Sequence, residues 1–240
     1  MVGHADDRVG PGTRRLAVIV PSSNSVVERD FVRGAPPGTT IHTARAYLAH
    51  TTRIAEEEML SVHVERAATE LATCRPHVLA FACTSGGAIL GEAGEARLEA
   101  RLEAIAGAPV VSTNRAVAEW LRDRGARRVA LVSPYTEELS AAVAETLLGR
   151  GFEVACVAGM DITDNFAIAE VKPEEILRFA CNAVDGADFD TLFVTCTNLR
   201  AFEVWSQLEN ALGVPVVTSN MATLERAAAL LEAIGMEGSR

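Results

Sequence analysis

The feature that most constrains this chain is a sequence that repeats itself. LAVIVPSSN at 16–24 aligns with VALVSPYTE at 129–137, and FACTSGG at 81–87 aligns with VTCTNLR at 194–200; both pairs lie 113 residues apart, 129 against 16 and 194 against 81. A third pair, PVVSTN at 109–114 and PVVTSN at 215–220, is offset by 106, so the second half is shorter by a small loop. Three motif pairs in one order at nearly one shift mark a duplication, which predicts two similar structural units.

Short β-branched runs alternate with longer Ala/Leu/Glu/Arg stretches of helical period, the pattern of βα units around parallel sheets. Strands are expected near 16–20, 39–45, 77–82, 109–112, 128–133, 152–157, 190–195 and 214–218. Helices are expected near 25–33, 56–74, 88–105, 113–124, 137–149, 173–185, 200–212 and 219–234. Pro173 followed by Glu174 and Glu175 makes a good first turn, and Gly125, Gly151 and Gly213 fall where helices should stop. The fold expected is α/β, with two pseudo-symmetric halves, each a four-stranded parallel sheet flanked by helices, and an active site in the cleft between them. The boundaries expected are 14–112 together with 219–240 for one half and 113–218 for the other. Residues 1–13, rich in acids and glycines where a signal peptide would be apolar, read as a flexible leader of a cytoplasmic protein.

At 240 residues and 49% hydrophobic, the chain can bury about 70% of its unfolded surface without staples. Five cysteines, Cys74, Cys83, Cys156, Cys181 and Cys196, are an odd number, and no disulfide framework is expected. The net charge of −10, with no Lys/Arg cluster, argues against nucleic acid or an anionic membrane as partner. Lys172 is the only lysine, which restricts Schiff-base chemistry to one exposed position.

In parallel sheets, ligands bind beyond the carboxyl ends of strands, where loops lead into helix N-termini. Every repeated word is such an end: PSSN, CTSGG, STN, SPYT, CTNLR and TSN. A pseudo-two-fold would bring these loops to one pocket, with Cys83 and Cys196 facing each other. A thiol at a helix start is expected to have its pKa lowered from about 8.5 toward neutrality, making it a nucleophile or a proton carrier. Cys74, Cys156 and Cys181 lack this context and are assigned to packing. Around the thiols the sequence offers neutral donors rather than charges: Ser22, Ser23, Asn24, Tyr135, Thr136 and the N–H groups of 84–87 and 197–199, suited to carboxylate oxygens. The long segment 159–175 adds Asn165 as a ligand candidate, with Asp161 and Asp164 shaping turns. His4, His42, His50, His63 and His77 show no metal-binding spacing, and no phosphate loop or GxSxG elbow occurs, so neither a metal nor a cofactor is expected.

The segments VPSSNSVVERDF (20–31), FACTSGGAILGE (81–92), SPYTEEL (133–139), DNFAIA (164–169), CTNLRA (196–201) and PVVTSN (215–220) resemble the maleate cis-trans isomerase family of the aspartate/glutamate racemase superfamily. Amino-acid racemases of that superfamily set their cysteines in CNT and CTH words. Arylmalonate decarboxylases keep only the second cysteine, so Cys83 points away from that branch. A rival with CTSG and CT…LRA words is the ectoine-utilisation relative.

The resemblance implies that Cys83 attacks an alkene carbon of maleate or a close dicarboxylate, Cys196 serves as acid and base, and fumarate leaves. It further implies that Asn24, Tyr135 and Asn165 hold substrate carboxylates, with Ser23, Thr84, Ser85, Thr197 and Asn198 lining the same site. A homo-oligomer is expected from composition and family. Two other functions stay open on the sequence: a two-cysteine racemase or epimerase of an amino or hydroxy acid, and a binding relative that keeps the cleft.

Overall fold

The computed structural model describes residues 13–237; the first twelve residues of the expected leader lie outside that range. The chain runs β1 (Arg14–Pro21), α1 (Val27–Gly34), β2 (Thr39–Ala46), α2 (Arg53–Glu58), α3 (Val64–Ala72), β3 (Val78–Phe81), α4 (Thr84–Ala106), β4 (Val110–Ser112) and α5 (Thr113–Asp123). It continues through β5 (Arg128–Ser133), α6 (Glu137–Gly149), β6 (Glu153–Gly159), α7 (Asn165–Glu170), α8 (Pro173–Ala183), β7 (Thr191–Val194), α9 (Trp205–Leu212), β8 (Val216–Thr218) and α10 (Ser219–Glu237). Two four-stranded sheets result, ordered β2-β1-β3-β4 and β6-β5-β7-β8, parallel throughout. The second order is the first repeated four strands later, as the duplication predicts.

All eight expected strands form, and the apolar runs are explained by burial on both faces. Along β1, alternate residues point to opposite sides: Leu16, Val18 and Val20 enter a core that runs on into the second sheet, while Ala17 and Ile19 enter a separate core under α3 and α4. Three differences concern helices, the first being that the helix expected at 200–212 is a 3-10 turn at Arg200–Glu203 followed by α9. The stretch expected as one helix at 56–74 is α2, then a π-helical turn at Met59–His63, then α3. The segment 159–175, read as a loop, contains α7, whose first turn is capped by the Asp164 carboxylate accepting from the Phe166 N–H.

The helices that follow β4 and β8 cross between halves. Helix α10 packs on β1, β3 and β4, and α5 packs on β8 and α10. Their N-termini carry the third repeated word, and its asparagines do the same work in each half. Asn114 Nδ2 donates to the Thr84 carbonyl at 3.0 Å, and Asn220 Nδ2 donates to the Thr197 carbonyl at 3.1 Å. Each CT loop is thus held from behind by its PVV(S/T)(T/S)N partner. Hydroxyls join the halves at the same level: Thr84 Oγ1 lies 2.9 Å from Ser219 Oγ, Thr223 Oγ1 donates to Thr113 Oγ1 at 3.1 Å, and Thr197 Oγ1 donates to the Ala82 carbonyl at 3.1 Å. All of these groups are buried, where a polar group left without a partner costs about 1–3 kcal/mol.

The two asparagines are not equivalent, because Asn220 Nδ2 also donates to the buried Asp30 carboxylate at 2.8 Å. Asn114→Ala should lower stability by about 0.5–1.5 kcal/mol, the net worth of one hydrogen bond, since the Thr84 carbonyl lies in the first turn of α4 and keeps its helical partner. Asn220→Ala should cost more, since the buried Asp30 carboxylate loses its amide donor as well. The order of the two urea midpoints checks this.

Candidate active site

The loops after β3 and β7 place Cys83 and Cys196 in one compartment at the carboxyl ends of both sheets. Both thiols are buried, at 2% and 4% exposure; Cys196 acts electrostatically on Cys83, and both act on Tyr135. Their surroundings differ. Cys83 is the N-cap of α4, and its sulfur accepts from the Gly86 N–H at 3.4 Å. Cys196 is not at an α-helix start: its backbone is left-handed, with φ of +90°, and a turn and a 3-10 turn (Arg200–Glu203) intervene before α9. Its sulfur accepts from the Asn198 N–H at 3.3 Å and from the Tyr135 hydroxyl. Strained backbone of this kind costs on the order of 1–3 kcal/mol and is concentrated where side chains must be aimed.

The expectation of depressed thiol pKa values is overturned. Burial pushes Cys83 well above its ordinary value, and Glu56 adds to the rise; burial pushes Cys196 up to about 11. The N–H donors act in the expected direction, but removing a thiolate from water outweighs them. Tyr135, fully enclosed, is raised too, chiefly by burial and then by the neighbouring thiols. In this closed state both cysteines are neutral thiols at pH 7.

The candidate donors assemble into one network. Asn24 Oδ1 accepts from the Val26 and Val27 N–H groups at 3.0 Å, starting α1, while its Nδ2 reaches Thr197 Oγ1 at 3.2 Å. Asn165 Nδ2 donates to Ser23 Oγ at 2.8 Å, and Ser23 donates to the Leu48 carbonyl at 2.5 Å. Asn198 Nδ2 donates to the Asn165 carbonyl at 2.6 Å, and its Oδ1 accepts from the Ser25 N–H at 2.9 Å. The hydroxyls of Thr84 and Thr197 are turned into the seam between halves, toward Ser219 and the Ala82 carbonyl.

A roof closes the compartment. The Thr51 N–H donates to the Thr163 carbonyl at 2.8 Å, the Asn165 N–H donates to the Ala49 carbonyl at 3.2 Å, and His50 pairs with Asp164 in a short antiparallel bridge. Segment 48–51 of the first half is thereby laced to 162–165 of the second, directly over Ser23. Cys83, Cys196, Asn24, Tyr135 and Asn165 are each exposed by 4% or less. A cavity of about 690 Å³ against β6 and α8, lined by residues including Met160, Ile162, Arg178 and Phe179, contains neither thiol.

One residue escaped the reading of the sequence. Glu56, on α2, is fully buried with its Oε2 3.6 Å from the Cys83 sulfur, and its Oε1 accepts a short hydrogen bond from the Ser85 hydroxyl. Among the described residues no arginine, lysine or histidine is paired with it. Burial raises its pKa to about 7, against the Ser85 and Cys83 hydrogen bonds that lower it. The site is therefore not lined by neutral groups alone. Only the run EEE at 56–58 signals this residue, and such a run ordinarily reads as a solvated face. No group of three or more His, Cys, Asp or Glu side chains among the described residues is placed to hold a metal ion.

The folded state prefers Glu56 protonated, so its contribution to stability is complete below the unfolded value near 4.5 and is lost as pH rises through about 7. At about 1.4 kcal/mol per unit the loss is roughly 3 kcal/mol. Glu56→Gln should therefore be more stable than the parent chain by about 2–3 kcal/mol at pH 8, with most of the difference gone at pH 5. Urea unfolding at the two pH values measures this.

The arylmalonate decarboxylase family model matches residues 41–238. A maleate isomerase of Geobacillus stearothermophilus is 28% identical over 224 residues, covering 88% of each chain. A maleate isomerase of Pseudomonas putida is 29% identical over 238 residues, covering 93% of this chain and 92% of that one. The maleate cis-trans isomerase of Nocardia farcinica bound to TRIS superimposes with a TM-score of 0.85 at 25% identity, over 91% of this chain and 92% of that one. A cysteine-to-serine mutant of the same protein, with a covalently bound succinylcysteine intermediate, gives 0.83 at 25% identity, over 91% and 93%. On the span of that model and these nearly full-length matches, the chain belongs to the arylmalonate decarboxylase family and is a maleate isomerase-like enzyme within it.

Proposed function

We propose that this chain isomerises maleate, or a close cis-dicarboxylate, to its trans isomer through a covalent adduct on Cys83. The observation that carries the reading is two buried thiols in one compartment with unlike partners: Cys83 beside Glu56, Ser85 and the Gly86 N–H, Cys196 beside Tyr135 and the Asn198 N–H. A single nucleophile needs no second thiol, whereas addition across a double bond needs a nucleophile and a proton source at adjacent carbons. The succinylcysteine described for the Nocardia protein supports the same division of labour.

The Cys83 thiolate forms a carbon–sulfur bond with one alkene carbon, and the π electrons take the Cys196 proton at the other. The product is a succinyl thioether on Cys83 and a thiolate on Cys196. Rotation about the new single bond exchanges cis for trans. Cys196 then removes the proton, the carbon–sulfur bond breaks, and the trans diacid leaves with Cys83 again a thiolate. Asn24, Tyr135 and Asn165 would take the carboxylates, exchanging their present partners for substrate oxygens when the roof opens. Ser23, Asn198 and the N–H groups of Thr84, Ser85 and Thr197 would complete the walls. The compartment is read as the cleft between a half of 14–112 plus 219–240 and a half of 113–218, which the crossing of α5 and α10 supports.

Incubation with maleate, followed by NMR of the alkene protons, should show fumarate. Solvent deuterium entering the α-position of an amino or hydroxy acid, with maleate untouched, would favour a racemase instead. Cys83→Ala should abolish turnover, and Cys196→Ala should reduce it by about 10²–10⁴-fold. Maleate added to Cys196→Ser should leave the mass of one substrate on the peptide containing Cys83.

A further inference from the structure

The proposed reaction begins from a Cys83 thiolate, yet the closed site holds Cys83 as a thiol. The proton must go somewhere. The α4 N-terminus supplies one N–H to the sulfur, from Gly86 at 3.4 Å, and that is insufficient against full burial. No histidine is placed as it would be in a cysteine–histidine pair: of the described histidines none is hydrogen-bonded to Cys83, whose side-chain partners are Glu56 and Ser85. The carboxyl of Glu56 is the acceptor within reach.

We propose that Glu56 is a further catalytic residue, the general base that takes the Cys83 proton as the sulfur attacks and returns it as the sulfur departs. The inference rests on the isomerase reading for its substrate, although the dyad itself is a property of the site. Three independent features of the geometry support it. Oε2 lies 3.6 Å from the sulfur, within hydrogen-bonding range of a thiol. Ser85 Oγ, donating to Oε1 and 3.7 Å from the same sulfur, turns the carboxyl so that its second oxygen faces Cys83; Ser85 is a positioning residue. Gly86 keeps the approach open, since a Cβ there would stand 3.2 Å from both the Cys83 sulfur and Glu56 Oε2 and 3.1 Å from the Met59 methyl. The carboxyl is delivered by α2 just before the π-helical turn Met59–His63, a distortion frequently found at functional sites.

The exchange balances. Glu56 carboxylate and Cys83 thiol become Glu56 acid and Cys83 thiolate, with one negative charge before and after. When the sulfur adds to the alkene, that charge passes through the substrate to Cys196 as its proton is delivered. Glu56 stays a neutral acid beside a dianionic ligand until elimination, when the departing thiolate recovers the proton. A buried carboxyl with no cationic partner, raised to about 7, suits this cycle: below that pH it is already protonated and cannot accept, and above it the pair is armed. The other titratable groups facing it are Cys83, and beyond Cys83 the thiol of Cys196 and the phenol of Tyr135.

The test measures Cys83 directly. Carbamidomethylation of Cys83 by iodoacetamide, read on its own peptide by mass spectrometry, should rise with pH and level off above an inflection near 7 in the parent chain. In Glu56→Gln, shown folded by circular dichroism, that inflection should vanish, the rate should climb toward the thiol's own range, and alkylation at pH 7.5 should fall at least about 10-fold. Maleate turnover should fall about 10²–10⁴-fold in kcat with little change in KM, the range for a lost general base. An unchanged profile, or faster alkylation at pH 7.5, would overturn the proposal, the second because it would mean that Glu56 only holds the thiolate down. If the parent chain leaves maleate untouched while the alkylation profile depends on Glu56, the isomerase reading fails and the dyad stands. If maleate is turned over and the profile ignores Glu56→Gln, the dyad fails alone.

Discussion

Desolvation is the constraint on which the rest of this structure depends. The compartment between the sheets is dry enough that burial shifts two thiols, a phenol and a carboxyl toward their neutral forms. The neighbouring side chains must therefore satisfy polar groups without charge, and they do so with hydroxyls and amides. The same dryness strengthens any interaction with charge that develops during a reaction. The dianionic ligand proposed for this site would then be held by amides, hydroxyls and backbone N–H groups, in a chain whose net charge is −10 and which presents no basic patch in its sequence.

The duplication provides the matched loops and then departs from symmetry where chemistry needs it. Asn114 and Asn220 hold the two CT loops alike, yet the cysteines themselves differ in backbone: Cys83 is extended and starts a helix, Cys196 is left-handed and starts a turn. Two equivalent thiols would suit a symmetric proton shuttle. Two inequivalent ones, one beside a carboxyl and one beside a phenol, suit unlike tasks.

Much of this was legible in the residues and some was not. The eight strands and the two-sheet plan followed from β-branched runs buried on both faces and from the 113-residue shift, signals that are local and periodic. The grouping of Cys83, Cys196, Asn24, Tyr135 and Asn198 followed from repeated strand ends, because in parallel sheets those ends converge, whereas Asn165 was signalled by the length of the 159–175 segment. Glu56 did not, since it lies in a run of three acids and only the tertiary position of α2 decides which of the three turns inward. The thiol pKa values were misjudged for a related reason. A helix N-terminus is visible in sequence, but the depth at which it is buried is not, and here depth dominates.

Helix α10 completes the first sheet with residues that lie some two hundred positions after β1. During synthesis, the part of that sheet on which α10 packs lacks this cover until the residues of α10 have left the ribosome. Contacts of such sequence separation close late and slow folding, and an open apolar sheet invites association in the meantime. The half that carries Cys83 is thus finished only after the half that carries Cys196, and a cut before Ser219 would take away the side chains that hold both CT loops from behind.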